Sequence, residues 1–134
     1  MHVRQPAAKR GDRIAAIDLH VVMVPVGSSL VPTQLPHLFS GELKGGLSSN
    51  VNIMKKPAAT VDSTADNAPA HVPTSPGTSF QNAPKNKGKI RQGSATVKIN
   101  GKPAARNGDP AETCNDPNDK PVGKVVATGT VMIG

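Results

Sequence analysis

The apolar and polar residues of this chain alternate over short stretches that end at glycine or proline. Residues 50–54, 95–99 and 129–133 each alternate with a period of two, which is typical of short β-strands. No stretch keeps the spacing of an amphipathic helix, and 13 Gly and 13 Pro recur too often for long helices. The pattern predicts an all-β fold of short strands joined by long loops.

Two pairs of neighbouring strands are candidates for hairpins. Residues 89–91 and 96–99 flank the turn sequence Gln92-Gly93-Ser94, and residues 124–127 precede residues 130–133 in the same way. A glycine between two short alternating runs favours a tight hairpin turn. We therefore expect each pair to form a two-stranded hairpin.

A short motif is repeated along the chain. Pro6-Ala7-Ala8-Lys9-Arg10-Gly11-Asp12 matches Pro103-Ala104-Ala105-Arg106-Asn107-Gly108-Asp109, and residues 56–63 carry a degenerate copy without the Gly-Asp pair. A predicted strand precedes the second and third copies, and the last strand of the chain ends where a further copy would begin. If the two ends of the chain meet, three strand-and-motif units close into a small pseudo-threefold figure. We expect one domain over residues 1–134.

Composition indicates that apolar burial alone does not hold this domain together. Only 36% of the residues are hydrophobic, and Phe39 and Phe80 are the only aromatic residues. Cys114 is the single cysteine, so a disulfide within the chain is excluded and a reducing cytoplasm is the expected compartment. No apolar run approaches the roughly 20 residues that cross a bilayer, and no secretory signal is recognised. Small folds of this kind use a metal or a partner instead.

Candidate metal ligands follow each repeat. His71 lies at the same distance after Pro57 as His20 does after Pro6, and Cys114 follows Pro103 at a similar distance. Three equivalent loops would therefore bring His20, His71 and Cys114 to one axis. His37, between the first and second units, is the natural fourth ligand, and His2 is a reserve.

Three histidines and one cysteine suit a tetrahedral Zn²⁺ ion, one per chain. Four protein ligands leave no position for a reactive water, so the expected zinc is structural and the protein is not an enzyme. A zinc hydrolase is the alternative, and it would require an open position on the metal.

The formal net charge of +7 raises the alternative of a nucleic-acid-binding module. The chain has neither the aromatic residues that stack on bases nor a basic recognition helix. We therefore expect no nucleic-acid partner.

The segment from Ile99 to Asp109, with the repeats, resembles PAAR-like proteins of type VI secretion and related extracellular contractile injection systems. The resemblance covers residues 11–134. Two departures are visible: Thr60 replaces the basic residue of the motif, and a Pro-rich excursion over residues 27–46 is longer than in a minimal member.

The resemblance implies a three-sided β-cone of short strands with a zinc near its apex, held by His20, His37, His71 and Cys114. It also implies that the base caps a trimeric, VgrG-type β-helical spike, one tip per trimer. Such tips sharpen the spike, carry effectors in some cases, and touch a target membrane only transiently on firing. The expected location is the bacterial cytoplasm, as part of the assembled injection particle, with the tip expelled toward the target envelope or released extracellularly on firing. The tip of a tailed-phage baseplate is the closest alternative.

Overall fold

The computed structural model describes residues 4–134, so His2, the reserve ligand, lies outside the described residues. These residues contain β-strands and no helix, which confirms the all-β class. The strands are β1 (Gln5–Pro6), β2 (Arg13–Val26), β3 (Ser29–Gly45), β4 (Asn52–Ile53), β5 (Lys56–Pro57), β6 (Thr64–Asn67), β7 (Ser79–Phe80), β8 (Lys87–Ile90), β9 (Lys98–Ile99), β10 (Lys102–Pro103), β11 (Pro110–Thr113), β12 (Lys120–Val126) and β13 (Met132–Ile133). Within residues 4–134 there is no helix of the length and apolarity that crossing a membrane requires.

Six strands close into an antiparallel barrel. Their order is β12, β11, β8, β6, β3 and β2, and β2 pairs again with β12 to complete the circle. The chain passes through three similar units, each built as a barrel strand, a small hairpin, a repeated motif and a second barrel strand. The third unit combines both ends of the chain, because Gln5 pairs with Ile133. The predicted pseudo-threefold closure is confirmed.

The three motifs meet in a ring of backbone hydrogen bonds. The N–H of Ala8 donates to the carbonyl of Ala105 (2.9 Å), Ala105 donates to Ala59 (3.1 Å), and Ala59 donates to Ala8 (3.0 Å). All three alanines are fully buried. The motif repeats small residues here because three backbones converge at one axis and leave no space for longer side chains.

Each motif turns its corner through a hydrogen bond from a backbone N–H to a side chain three residues later. Lys9 N–H donates to Asp12 Oδ2 (3.0 Å), and Arg106 N–H donates to Asp109 Oδ2 (2.6 Å). In the degenerate copy, Thr60 N–H donates to Ser63 Oγ (3.0 Å). The corner is therefore preserved without the Gly-Asp pair, because a serine hydroxyl also accepts this bond.

Three small hairpins form the base on the other side of the ring. The pairs are β4 with β5, β9 with β10, and β13 with β1. An apolar cluster joins them, made of Ala7, Ile53, Ala58, Ile99 and Ala104 with Val51, Val97 and Ile133 packed against it. Asn100 and Gly101 turn the β9–β10 hairpin at positive φ (53° and 80°), as a type I′ turn requires.

Both hairpins predicted from the sequence are wrong. Strand β8 pairs with β6 and β11, and β12 pairs with β11 and β2, whereas β9 and β13 belong to the base hairpins. Gly93 does not make a hairpin turn. A Cβ atom there would lie 2.6 Å from the carbonyl oxygen of Ala104, so the glycine is needed for close backbone packing.

Most of the excursion over residues 27–46 is strand β3 (Ser29–Gly45) and not a loop. Strand β3 pairs with β2 without interruption from Arg13↔Glu42 to Val26↔Ser29, which gives a long hairpin that extends beyond the barrel. Pro32 pairs with Met23, and Pro36 pairs with Leu19. The carbonyl of Met23 accepts from Thr78 N–H and the N–H of Leu19 donates to Asn115, so the backbone groups of Met23 and Leu19 point away from β3. By the alternation of a strand, the N–H groups that these prolines lack would point away from β2, so no ladder bond is lost.

The barrel is filled by one main apolar cluster. Phe39 and Leu43 of β3, Ile14 of β2, Ile90 of β8 and Val125 of β12 are its large buried members. Gly88 faces this core, and a Cβ atom there would lie 3.2 Å from the ring of Phe39. This core ends at a group of polar side chains on the side away from the base.

Candidate metal centre

Four possible metal ligands converge beyond the barrel core. Asp18 and His20 alternate on the inner face of β2, Cys114 follows β11 directly, and His71 lies in the segment after β6. One donor atom from each of these four residues lies within 4.8 Å of the others. Three different units of the fold therefore supply the group, as the repeats in the sequence predict for His20, His71 and Cys114.

Asp18 is central to the contacts among these donors. Its Oδ2 atom lies 2.8 Å from His71 Nε2, 3.4 Å from Cys114 Sγ and 3.9 Å from His20 Nε2. Its other oxygen accepts a hydrogen bond from the Thr113 hydroxyl. The Asp18 side chain is fully buried, and those of His20 and His71 are 1% and 2% exposed.

His20 supplies the strongest sign that an ion belongs here. Both of its ring nitrogens are buried and make no hydrogen bond with the described part of the chain. A buried polar atom without a partner costs about 1–3 kcal/mol, so such atoms are rare in native proteins. A metal bound to Nε2 would satisfy that atom, and the Nδ1 atom, 3.5 Å from Asp116 Oδ2, would face a carboxylate in the way that metal-bound histidines usually do.

The electrostatics of the cluster also favour a cation. Burial opposes the charge on His20, but the Asp18 carboxylate and Cys114 beside the ring raise the pKa of His20 to about 10. Burial likewise opposes the charge on Asp18, yet the nearby His20 ring and the hydrogen bonds from Thr113 and His71 lower the pKa of Asp18. The Asp18 carboxylate thus creates a site that attracts positive charge, which a proton or a metal ion can provide.

His37 lies next to this group but is not one of the four residues whose donor atoms converge. Its ring centroid is 5.4 Å from that of His20 and 5.4 Å from that of His71. The Nδ1 atom is 2.9 Å from the carbonyl of Leu35, and Nε2 accepts a hydrogen bond from Thr74 N–H at 3.1 Å. Burial, followed by the nearby histidines, lowers the pKa of His37, which favours a neutral ring.

The donor set fits zinc in its chemistry. Imidazole nitrogen, thiolate sulfur and carboxylate oxygen are the ligand types that Zn²⁺ accepts, and the four donors are close enough for one tetrahedral ion. Sequence reasoning missed Asp18. The available signal was its position two residues before His20, because alternate residues of a strand share one face. The assignment of His20, His37, His71 and Cys114 as ligands stays a prediction.

The chain matches a known protein family. The model described as the PAAR motif matches residues 36–114 and residues 80–134, which together cover most of the chain and include two of the three repeats. No curated protein and no solved structure matches the chain.

Proposed function

The chain belongs to the PAAR-motif family, of the type found in type VI secretion and contractile injection, and we propose that it caps a trimeric, VgrG-like spike as its tip. The observation that carries this proposal is the pseudo-threefold ring of Ala8, Ala59 and Ala105. One chain with three similar units can meet a homotrimer with each unit facing one subunit. A monomer without this internal symmetry could not match three identical surfaces at once.

The base is the surface we assign to the spike. Its three small hairpins carry the apolar cluster around Ile53, Ile99 and Ile133, and Met54 and Met132 are nearly half exposed beside it. Burial of such apolar surface against a partner is favourable, and the short hairpins would otherwise leave strand edges open. Assembly in the bacterial cytoplasm, expulsion of the tip on firing, and attachment of effectors belong to the same proposal.

Reconstitution with the trimeric spike tests this function. We expect a complex of one tip to one trimer, measured by light scattering after size exclusion. The double change Met54→Glu and Met132→Glu should abolish the complex, whereas Val122→Glu, on the flank of the barrel, should not. Retention of the complex in the double variant, or three tips on one trimer, would refute the proposed docking mode. Reconstitution with spikes from a secretion system and from a phage tail distinguishes the proposed function from the phage-baseplate alternative, according to which of the two spikes binds.

We further propose that Asp18, His20, His71 and Cys114 hold a structural zinc ion. When bound, the ion would cross-link three units of the fold where the apolar core ends. Four protein ligands would close the coordination sphere, which distinguishes this proposal from the zinc-hydrolase alternative. His37 would then support the site from its edge, with its ring fixed by Leu35 and Thr74.

A further inference from the structure

The end of the β2–β3 hairpin is the part of the chain farthest along β2 from the base. From His20 at the candidate metal centre, β2 continues through Val26, which adds about 20 Å at 3.3 Å per residue. Strand β7 pairs with β2 only at Val22 and Met23. Beyond that point, β2 and β3 pair only with each other among residues 4–134. We call residues 24–32 the hairpin tip.

The hairpin tip is apolar on both of its faces. Val26 and Val31, on the face that continues the barrel interior, are 59% and 42% exposed, and Leu30, on the opposite face, is 56% exposed. The apolar outer face continues down the hairpin to Ile17 and Leu38, which pair directly across the strands. An exposed antiparallel ribbon normally carries polar residues on its outer face.

The same hairpin carries no Asp, Glu, Lys or Arg between Asp18 and Glu42, although 19% of the whole chain is charged. Its tip also has prolines at 25 and 32, on opposite strands. By the alternation established for β2 and β3, the N–H groups that they lack would face the outer edges of the ribbon. The tip therefore has no charge and fewer free backbone donors to remove from water, which lowers the cost of entering an apolar medium.

We propose that the hairpin tip inserts into the interfacial region of a lipid bilayer, as the first lipid contact of the tip proposed above. A flat protein surface would cover one face of the ribbon and leave the other in water. A bilayer interface surrounds an inserted segment, and the apolar residues on both faces match that environment. The edges of a two-stranded ribbon keep unpaired carbonyl groups, so the hairpin enters the interface and does not span the membrane.

A tryptophan scan tests lipid insertion directly, because the chain has no native Trp. The zinc-loaded full chain with Leu30→Trp is mixed with phosphatidylcholine vesicles. We expect its emission to shift to the blue and to be quenched by brominated acyl chains. Val122→Trp, at a flank position that is 46% exposed in the native chain, is the matched control and should do neither. An unshifted Leu30→Trp emission at saturating lipid overturns the proposal.

Charge substitutions provide the second arm. Val26→Asp with Leu30→Asp should lower the fraction bound to phosphatidylcholine vesicles by about tenfold or more, whereas Val122→Asp should leave it unchanged. Binding that requires anionic lipid and vanishes at about 0.5 M salt would instead be adsorption through the basic residues, and would refute insertion. A Leu30→Trp shift that appears only with an added protein would show a protein-docking surface.

This inference rests on the proposed function, and the two can fail separately. The hairpin-tip variants should still form the complex of one tip with one spike trimer, because the base lies on the other side of the ring. The base variants Met54→Glu and Met132→Glu should still bind vesicles. Loss of capping with normal lipid binding counts against the spike-tip function, and normal capping without lipid binding counts against the hairpin-tip proposal.

Discussion

Asp18, and not His37, joins His20, His71 and Cys114 in the candidate metal centre. Its Oδ2 atom contacts His71 and Cys114 and lies 3.9 Å from His20 Nε2, whereas both nitrogens of His37 are engaged by the backbone. A nitrogen that accepts a hydrogen bond from Thr74 N–H has no free lone pair for a metal. The fourth ligand is therefore expected to be a carboxylate.

This assignment predicts different outcomes for two substitutions. Asp18→Asn should weaken zinc binding at least about tenfold, because the amide is a poorer ligand and removes a negative charge. His37→Gln should keep about one zinc per chain. Competition with a chromophoric chelator measures affinity, and elemental analysis measures content, with His2→Ala as the control. The opposite result, in which only His37→Gln loses zinc, would establish the ligand set predicted from the sequence.

His20 predicts how pH affects the site. Its raised pKa of about 10 means that, without metal, the folded ring holds its proton more tightly than the unfolded chain does, near 6.5. This protonation therefore stabilises the metal-free fold fully below about pH 6.5, and the contribution disappears as the pH rises through about 10. Zinc requires the ring without that proton, so zinc and protons compete.

We therefore expect apparent zinc affinity to increase between about pH 6 and about pH 8, with proton release on binding. Calorimetric titration in two buffers of different ionisation enthalpy measures that release. The conservative variant His20→Gln, which removes the proton, should show a smaller release and weaker binding. Equal heats in the two buffers at neutral pH would contradict the protonated state of His20.

Three of the donor residues, His20, His71 and Cys114, were predictable because each follows one copy of the repeated motif at a similar distance. His20 and His71 occur at equal distances after Pro6 and Pro57, and the fold brings them together with Cys114. Asp18 was not identified because a lone aspartate between apolar residues also suits the solvent face of a strand. Only the register of β2, fixed by its pairing with β12 and β3, places Asp18 on the same side as His20.

Among the structural elements, the corner motifs predict a graded series of stabilities. Asp109 accepts from the backbone N–H of Arg106 and from its guanidinium group (Nη2 to Oδ1, 2.8 Å), and its side chain is 6% exposed. Asp109→Ala should lower the free energy of unfolding by about 2–3 kcal/mol, because the Arg106 N–H loses its acceptor in a buried corner. Asp109→Asn keeps an acceptor and should cost less.

Urea denaturation of the zinc-loaded chain provides the measurement. Ser63→Ala tests the degenerate corner and should cost about 1–2 kcal/mol, because Thr60 N–H and the carbonyl of Gly46 lose a neutral partner. Asp119→Ala is the control, since its ion pair with Lys85 is exposed and such pairs contribute about 0–1 kcal/mol. Equal losses for Asp109→Ala and Asp119→Ala would show that the corners do not hold the fold.

The sequence predicted the strands better than their partners. Short alternation identified β4, β9 and β13 correctly, but the partner of a two-residue strand depends on the turn that follows it. The Asn100-Gly101 turn pairs β9 with β10, and nothing local indicates that β8 joins β6 and β11 across the barrel. The prolines of β3 suggested an irregular segment, although they lie at positions where a strand loses no ladder hydrogen bond.

At the scale of the whole molecule, the three base hairpins differ in how their strands are connected. The hairpin of β13 and β1 differs from the other two only in that no turn joins its strands. Strands β9 and β10 are joined by Asn100 and Gly101, whereas β13 and β1 pair in the same way without a direct covalent link. If the three units are equivalent in the folded state, the connection can be moved from one hairpin to another without changing the barrel, the ring or the candidate metal centre.

A circular permutant tests that equivalence. The new chain begins at Gly101, joins Ile133 to Gln5 through an Asn-Gly pair, omits Gly134 and residues 1–4, and ends at Asn100. We expect about one zinc per chain, unchanged spike binding, and a melting temperature within about 8 °C of the parent, since the change replaces one hairpin link by another. A second permutant, opened between Ala58 and Ala59, interrupts the hydrogen-bonded ring and should not fold. If both permutants folded equally well, the axis that matches a trimeric spike would form without an intact ring. The ring of Ala8, Ala59 and Ala105 would then not be the structural centre of the fold.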